Sequence, residues 1–293
     1  MTIRMKKQDP HEDLELDELE LDSDPQFECL DPVDEDSSAP PIQIVSDLVK
    51  DKLLELAQKK SLYPFESVFH KIGPARENFL STLSKRASHT WNLPVIWEPH
   101  SNINLKTLPQ DLSKIASHSP FFIIRGLQAT PLDMTPYYLA RQLASVRGIF
   151  CIQHDLILEP YQIYEARAYG FDAVSIYPSC LSNSELLSLV LLAKELGMET
   201  ILWLRSRQDI AKAVRTPCRL YAVSSSDGLK TMEDSEEQMI QLASEIPQDK
   251  FLILEPSHLS PAMVQEARDL ECLALVQPLK EIVGKVSRRI QTL

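Results

Sequence analysis

Eight short apolar runs recur along this chain at intervals of about 20 to 30 residues, and that rhythm constrains the fold more than any other feature. The runs are Pro94–Glu98, Phe121–Gly126, Ile149–Gln153, Ala173–Tyr177, Thr200–Leu204, Leu220–Ser224, Phe251–Leu254 and Cys272–Val276. Helical patterns lie between them, at Pro136–Val146, Tyr161–Ala168, Ser184–Leu196, Ser206–Val214, Asp234–Glu245 and Pro261–Leu270. A strand that returns beside its predecessor through a helix must run parallel to it. Eight such units within residues 42–293 match the arithmetic of an α/β (β/α)8 TIM barrel. A doubly wound open sheet is the rival architecture. It would place a glycine-rich turn after its first strand, whereas the whole chain holds only 7 glycines beside 20 prolines. At average usage of about 7% a chain of this length would carry roughly twenty.

Local punctuation supports the same division. Ser182, Asn183, Ser184 and Glu185 supply cap residues ahead of a leucine-rich helix, and Gly197 stands where a closing glycine belongs. Pro160 suits the first turn of the helix that Gly170 ends. Upstream, Ile44, Val45, Leu48, Leu53, Leu56 and Ala57 form a helical stripe within Ile42–Lys60, and a second short helix is expected over Arg76–Arg86. The expected organisation is therefore a tail (1–40), a helical extension (41–90) and the barrel (91–293).

The formal net charge of −12 belongs to one end of the molecule. Residues 1–40 hold 14 of the 42 acidic residues and only Arg4, Lys6 and Lys7 as bases, which leaves 28 acids and 27 bases elsewhere. Acidic residues alternating with leucine, proline and serine bury little, so the tail is expected to be disordered. The alternative is a docking segment for a protein partner, with Leu14, Leu16, Leu19 and Leu21 as its apolar contacts. No basic stripe marks a nucleic-acid surface. No apolar run approaches the roughly 18 residues of a membrane span, and Met1–Pro10 lacks a signal-peptide core. Cys29, Cys151, Cys180, Cys218 and Cys272 are scattered and odd in number, which disfavours disulfides and structural zinc and points to the cytoplasm.

The stretch Gln153–Arg167 reads QHDLILEPYQIYEAR, with Gly170 and Asp172-Ala173-Val174 after it. It resembles the indole-3-glycerol-phosphate synthase family, which typically reads RKDFIIDPYQIYEAR at that point. The likeness continues through Ala193–Gly197 and through Asp227 to Leu229-Lys230-Thr231, similar to the family's N-R-D-L-K-T, and covers about 42–280. The resemblance implies a barrel with an N-terminal helical extension and an origin in tryptophan biosynthesis. It also implies a carboxy-lyase reaction that cyclises a carboxyphenylamino-deoxyribulose phosphate without any cofactor.

Carried over position by position, the resemblance keeps Glu98 as the first-strand glutamate and places His100 on the lysine two residues later. The general-acid lysine of the third strand falls on His154, and the fifth-strand glutamate base on Trp203. The sixth-strand asparagine falls on Ser224. The seventh-strand S-E-S-G becomes Leu254-Glu255-Pro256-Ser257, and the last-strand G-E-S becomes Val276-Gln277-Pro278. The first loop, usually S-P-S-K-G, is some six residues shorter. A phosphate pocket built from backbone N–H groups needs close approach, which Val276 hinders, and donors, one of which proline removes. Indole cannot act as a carboxylate base.

The candidate catalytic residues are therefore Glu98, His100, His154 and Glu255, with Ser224, Ser257 and Arg125 as candidate contacts to a small anionic ligand at the barrel mouth. Two carboxylates and two imidazoles at one mouth suit acid–base work or a divalent metal; otherwise they form a hydrogen-bonded polar remnant, the reading preferred here, with no metal expected. Trp203 is expected to fill the interior, Arg125 to hold an anion or pair with an acid, Asp227 and Lys230 to serve loop and cap, and Cys151 to be a small buried apolar group. The expected function is a catalytically degenerate synthase-like barrel with a binding or interaction role. The alternatives are an active synthase with altered site residues and a repurposed or metal-dependent lyase.

Overall fold

In a computed structural model the described residues are 42–84, 94–97, 110, 119–126, 135–225 and 236–278. The acidic tail, Asp227 and Lys230 lie outside them. The strands are β1 (Val95–Trp97), β2 (Phe121–Arg125), β3 (Phe150–His154), β4 (Ala173–Ile176), β5 (Glu199–Leu204), β6 (Leu220–Ser224), β7 (Phe251–Glu255), β8 (Ala274–Leu275) and β9 (Gln277–Pro278). Among the described residues three helices precede β1: α1 (Ile42–Leu62), α2 (Phe65–Phe69) and α3 (Phe79–Ser84). Then α4 (Thr135–Val146), α5 (Pro160–Tyr169), α6 (Asn183–Glu195), α7 (Arg207–Ala213), α8 (Glu236–Ser244) and α9 (Pro261–Asp269) fall between strands.

Among the described residues every pairing is parallel and follows chain order from β1 to β8. Strands β2, β3, β4 and β6 are buried at every position, as a parallel sheet covered on both faces requires. Alternate residues divide between two cores. Phe121, Ile123, Ile152, Ile201, Trp203, Ala222 and Ile253 share one, while Phe122, Ile124, Cys151, Val174, Leu202, Val223 and Leu254 pack in the other with the inner faces of the helices.

The last apolar run departs from expectation. Instead of one strand over Cys272–Val276, Ala274–Leu275 pairs with β7 and Gln277–Pro278 pairs with β1, with Val276 between them. One segment of chain thus joins both ends of the strand series, so the sheet curls fully round. Pro278 has no N–H to donate, and such a residue is tolerated where a strand changes neighbours.

Helix boundaries follow their caps. Glu159 caps α5 with Pro160 in its first turn, and Gln162 receives the backbone N–H groups of Leu158 and Glu159. Ser182 and Glu185 form a reciprocal capping box on α6. Gly197 beyond α6 has φ of 71°, and a Cβ there would meet the Ala75 side chain at 2.5 Å, so backbone and packing both demand glycine.

The N-terminal helices depart from expectation at their edges. The helix expected from Arg76 starts only at Phe79, because Asn78 adopts φ of 72°. Arg76 instead lies over the Phe150 ring at 4.3 Å and donates to the Ile149 carbonyl at 2.7 Å. Phe79 of α3 meets Phe121 and Phe150 edge-on, at 5.2 and 5.4 Å, and so covers the strand starts. The short helix α2 was not expected from the periodicity.

Three lysines tie α1 to the segment after β3. Lys52 reaches Asp155 and Glu55, each at 2.9 Å, Lys59 reaches Glu165 at 2.9 Å, and Lys60 reaches Glu159 at 2.8 Å. Lys59 and Glu165 are each 3% exposed, so neither charge has water to fall back on. Removing one partner of such a pair costs about 3–5 kcal/mol. Lys59→Met is accordingly expected to destabilise the protein by that amount in urea unfolding, and Lys59→Met/Glu165→Gln to recover most of it. Equal losses in the single and double variants would contradict the coupling.

Candidate functional site

Parallel barrels carry ligand chemistry at the carboxyl ends of their strands, and here those ends are polar. Arg125 ends β2, His154 ends β3, Ser224 ends β6 and Glu255 ends β7. Register sets Arg125 beside His154, His154 beside Ser175, and Ser224 beside Glu255. All of these side chains are buried.

Arg125 Nη2 donates to both Glu255 oxygens at 2.6 Å, with side-chain exposures of 8% and 4%. The two residues stand 130 positions apart. The Glu255 backbone carbonyl is held by Ser225 N at 3.0 Å, which fixes the strand end carrying the carboxylate. Of the two roles open to Arg125 in the sequence, the ion pair is the one the structure forms.

Beside that pair lies an aromatic block. His154 Nε2 and the Tyr177 hydroxyl are 2.9 Å apart, and the imidazole meets the Trp203 ring edge-on at a centroid distance of 4.4 Å. Trp203 Nε1 donates to Ser175 Oγ at 2.9 Å. Trp203 is 1% exposed and His154 fully buried. His154 Nδ1 has no hydrogen-bond partner. Burial, and then the positive charge of Arg125, hold the imidazole pKa well below its ordinary value of 6.5. His154 is therefore a neutral imidazole, suited to hydrogen bonding and unsuited to storing a proton for general-acid work at neutral pH.

That shift has a sign in stability. The unfolded chain takes up a proton at His154 below about pH 6.5 and the native chain does not. The contribution is fully present above pH 6.5 and is lost as pH falls, at about 1.4 kcal/mol per pH unit. Between pH 7 and pH 5 the native protein is expected to lose stability more steeply than His154→Gln in urea unfolding. Parallel pH profiles for the two proteins would contradict the neutral assignment.

The remaining sequence candidates are placed differently. Glu98 and His100 lie outside the described residues. Ser257 is exposed after β7, where its hydroxyl donates to Glu236 Oε1 at 2.8 Å and lies 3.2 Å from His258 Nδ1. Cys151 is buried among apolar neighbours, and burial pushes its thiol far above the ordinary range. Among the described residues no group of three or more His, Cys, Asp and Glu side chains could hold a metal ion. No helix among them is long and apolar enough to cross a membrane.

Tyr177 and Ser175 escaped the sequence reading. Both sit at the end of the fourth apolar run, two residues apart and hence on one face of the strand, so alternation from Ala173 offered the signal. As chemistry, the described strand ends offer a compensated charge pair, a neutral imidazole and an indole N–H, with no uncompensated carboxylate beside His154.

The sequence model of the family described as indole-3-glycerol phosphate synthase matches residues 137–276. An indole-3-glycerol phosphate synthase of Rhodopirellula baltica is 33% identical over 113 residues, 39% of this chain and 43% of that protein. The enzyme of the same name from Paracidovorax citrulli is 28% identical over 156 residues, 53% of this chain and 56% of its own. The chain thus spans about half the length of the curated relatives it matches. Among solved structures, an N-acetylmannosamine-6-phosphate 2-epimerase from Clostridium perfringens superposes with a TM-score of 0.52 at 11% identity, covering 75% of this chain and 99% of that one, a likeness of fold alone. With β3 to β7 and their helices inside the matched stretch, the chain resembles the indole-3-glycerol phosphate synthase family.

Proposed function

We propose that this protein is an indole-3-glycerol-phosphate-synthase-like (β/α)8 barrel, descended from tryptophan biosynthesis, whose mouth recognises a small anion and no longer runs the synthase reaction. The observation that carries this reading is the packing of Trp203. The resemblance aligns Trp203 with the family's glutamate base, and its indole is 1% exposed, bonded to Ser175 and set against His154. His154 aligns with the family's acid lysine and is buried without charge. Arg125, paired here with Glu255, is the guanidinium an anion would engage on displacing that carboxylate. The test is to supply carboxyphenylamino-deoxyribulose phosphate to the full-length protein and follow indoleglycerol phosphate fluorescence. No turnover is expected. Turnover on the order of 1 s⁻¹, typical of a working enzyme, would overturn the reading in favour of an active synthase with altered residues.

A further inference from the structure

We propose that Glu255 is a built-in occupant of an oxyanion site at the strand ends, holding Arg125 in place of an external carboxylate or phosphate and keeping that site closed at rest. The inference rests on the preceding reading, in which the mouth takes a small anion, and adds how that site is controlled.

The pair spans the ring rather than neighbouring strands. Arg125 ends β2 and Glu255 ends β7, and β1 with the 274–278 segment lies between those strands. The contact is one an external anion would make: a guanidinium nitrogen at 2.6 Å from two carboxylate oxygens. Both side chains are almost wholly buried. Stability alone does not call for such a pair, because apolar side chains of similar volume serve as well or better. Its place at the carboxyl ends of parallel strands assigns the charge to recognition.

An incoming anion would exchange with Glu255 on Arg125, and the guanidinium would stay neutralised throughout. No bond is made or broken in that exchange. The tethered carboxylate competes at a high effective concentration, so an external anion binds weakly until Glu255 swings away or is removed. Carboxylates and phosphates share the required chemistry, and the experiment separates them.

The experiment is calorimetric titration of the full-length protein with sodium formate and with inorganic phosphate at fixed ionic strength. The proteins compared are the native chain, Glu255→Gln and Arg125→Gln/Glu255→Gln. Glu255→Gln is expected to bind at least one of the two anions about tenfold more tightly than the native chain, and the double variant to lose that gain. A gain for formate alone assigns a carboxylate ligand; a gain for phosphate alone assigns a phosphoryl ligand. Folded Glu255→Gln with no gain overturns the proposal, as does a gain that survives loss of Arg125. Should Glu255→Gln fail to fold, Glu255→Asp keeps the charge on a shorter arm and is expected to show a smaller gain; its absence overturns the proposal equally. Native protein binding either anion as tightly as Glu255→Gln refutes the closure while leaving the anion-binding reading intact. Synthase turnover by the native protein refutes the reading beneath it.

Discussion

Purified protein given carboxyphenylamino-deoxyribulose phosphate is expected to yield no indoleglycerol phosphate, and the single change Trp203→Glu is not expected to restore it. Loss of a positioned general acid or base lowers a rate about 10²–10⁴-fold, and on the proposed reading the residues at both positions are changed. Groups that act together do not recover one at a time. The environment of Trp203 sharpens this. A carboxylate placed there would sit at a position 1% exposed, next to an imidazole that burial keeps uncharged. Burying such a charge without a partner costs several kcal/mol, so the variant is expected to be less stable as well as inactive. On the same reading the change would also leave the phosphate position without one backbone donor, since Val276 is fully buried with its N–H committed to the Leu254 carbonyl at 2.8 Å. Measurable turnover in Trp203→Glu, with none in the native protein, would show that one base was all the chain lacked. Rescue of a tryptophan-requiring host lacking its synthase provides the same test in cells.

Trp203→Ala is expected to produce the largest loss of stability among single truncations at the site. Among the described residues the indole is the largest fully buried side chain. Truncating a buried tryptophan to alanine costs about 3–5 kcal/mol, because packing around the void relaxes only in part. For a protein of this size that loss corresponds to a fall in Tm of roughly 10 °C. Two terms contribute and a second variant divides them. Trp203→Phe keeps most of the apolar bulk but removes the N–H that Ser175 Oγ accepts, and is expected to cost about 1–2 kcal/mol. Adding Ser175→Ala to Trp203→Phe should recover part of that cost by removing the hydroxyl left without its donor. Urea denaturation of the four proteins measures each step. A loss below about 1 kcal/mol in Trp203→Ala would mean that the interior closes over the gap, contrary to the dense packing described.

Local order was readable without coordinates. The apolar rhythm located the strands, several to within a residue, because a strand buried on both faces must be apolar along its length whatever lies beside it. Ser182, Pro160 and Gly197 marked helix ends for similarly local reasons: a side-chain acceptor, a preset φ and tolerance of positive φ. The short helix α2 and the late start of α3 were not readable, since five or six residues hold too little periodicity and an asparagine such as Asn78 permits a left-handed conformation without requiring it.

At the strand ends the division falls differently. Sequence determined which residue types stand there: Arg125, His154, Ser224 and Glu255 in place of an arrangement the resemblance would supply, and Trp203 where that resemblance implies a base. Their state was decided by tertiary structure. Arg125 is an ion-pair partner because curling of the sheet brings the ends of β2 and β7 together across 130 residues. His154 is neutral because Tyr177, Trp203 and Arg125 arrive from three other strand ends and displace the water a charged imidazole needs. Lys59 and Glu165, 106 residues apart, meet only once residues of α1 pack against α5. Periodicity and caps report what a residue does within a few positions of itself, whereas charge state and partnership depend on which distant strands a closed ring of pairings sets side by side.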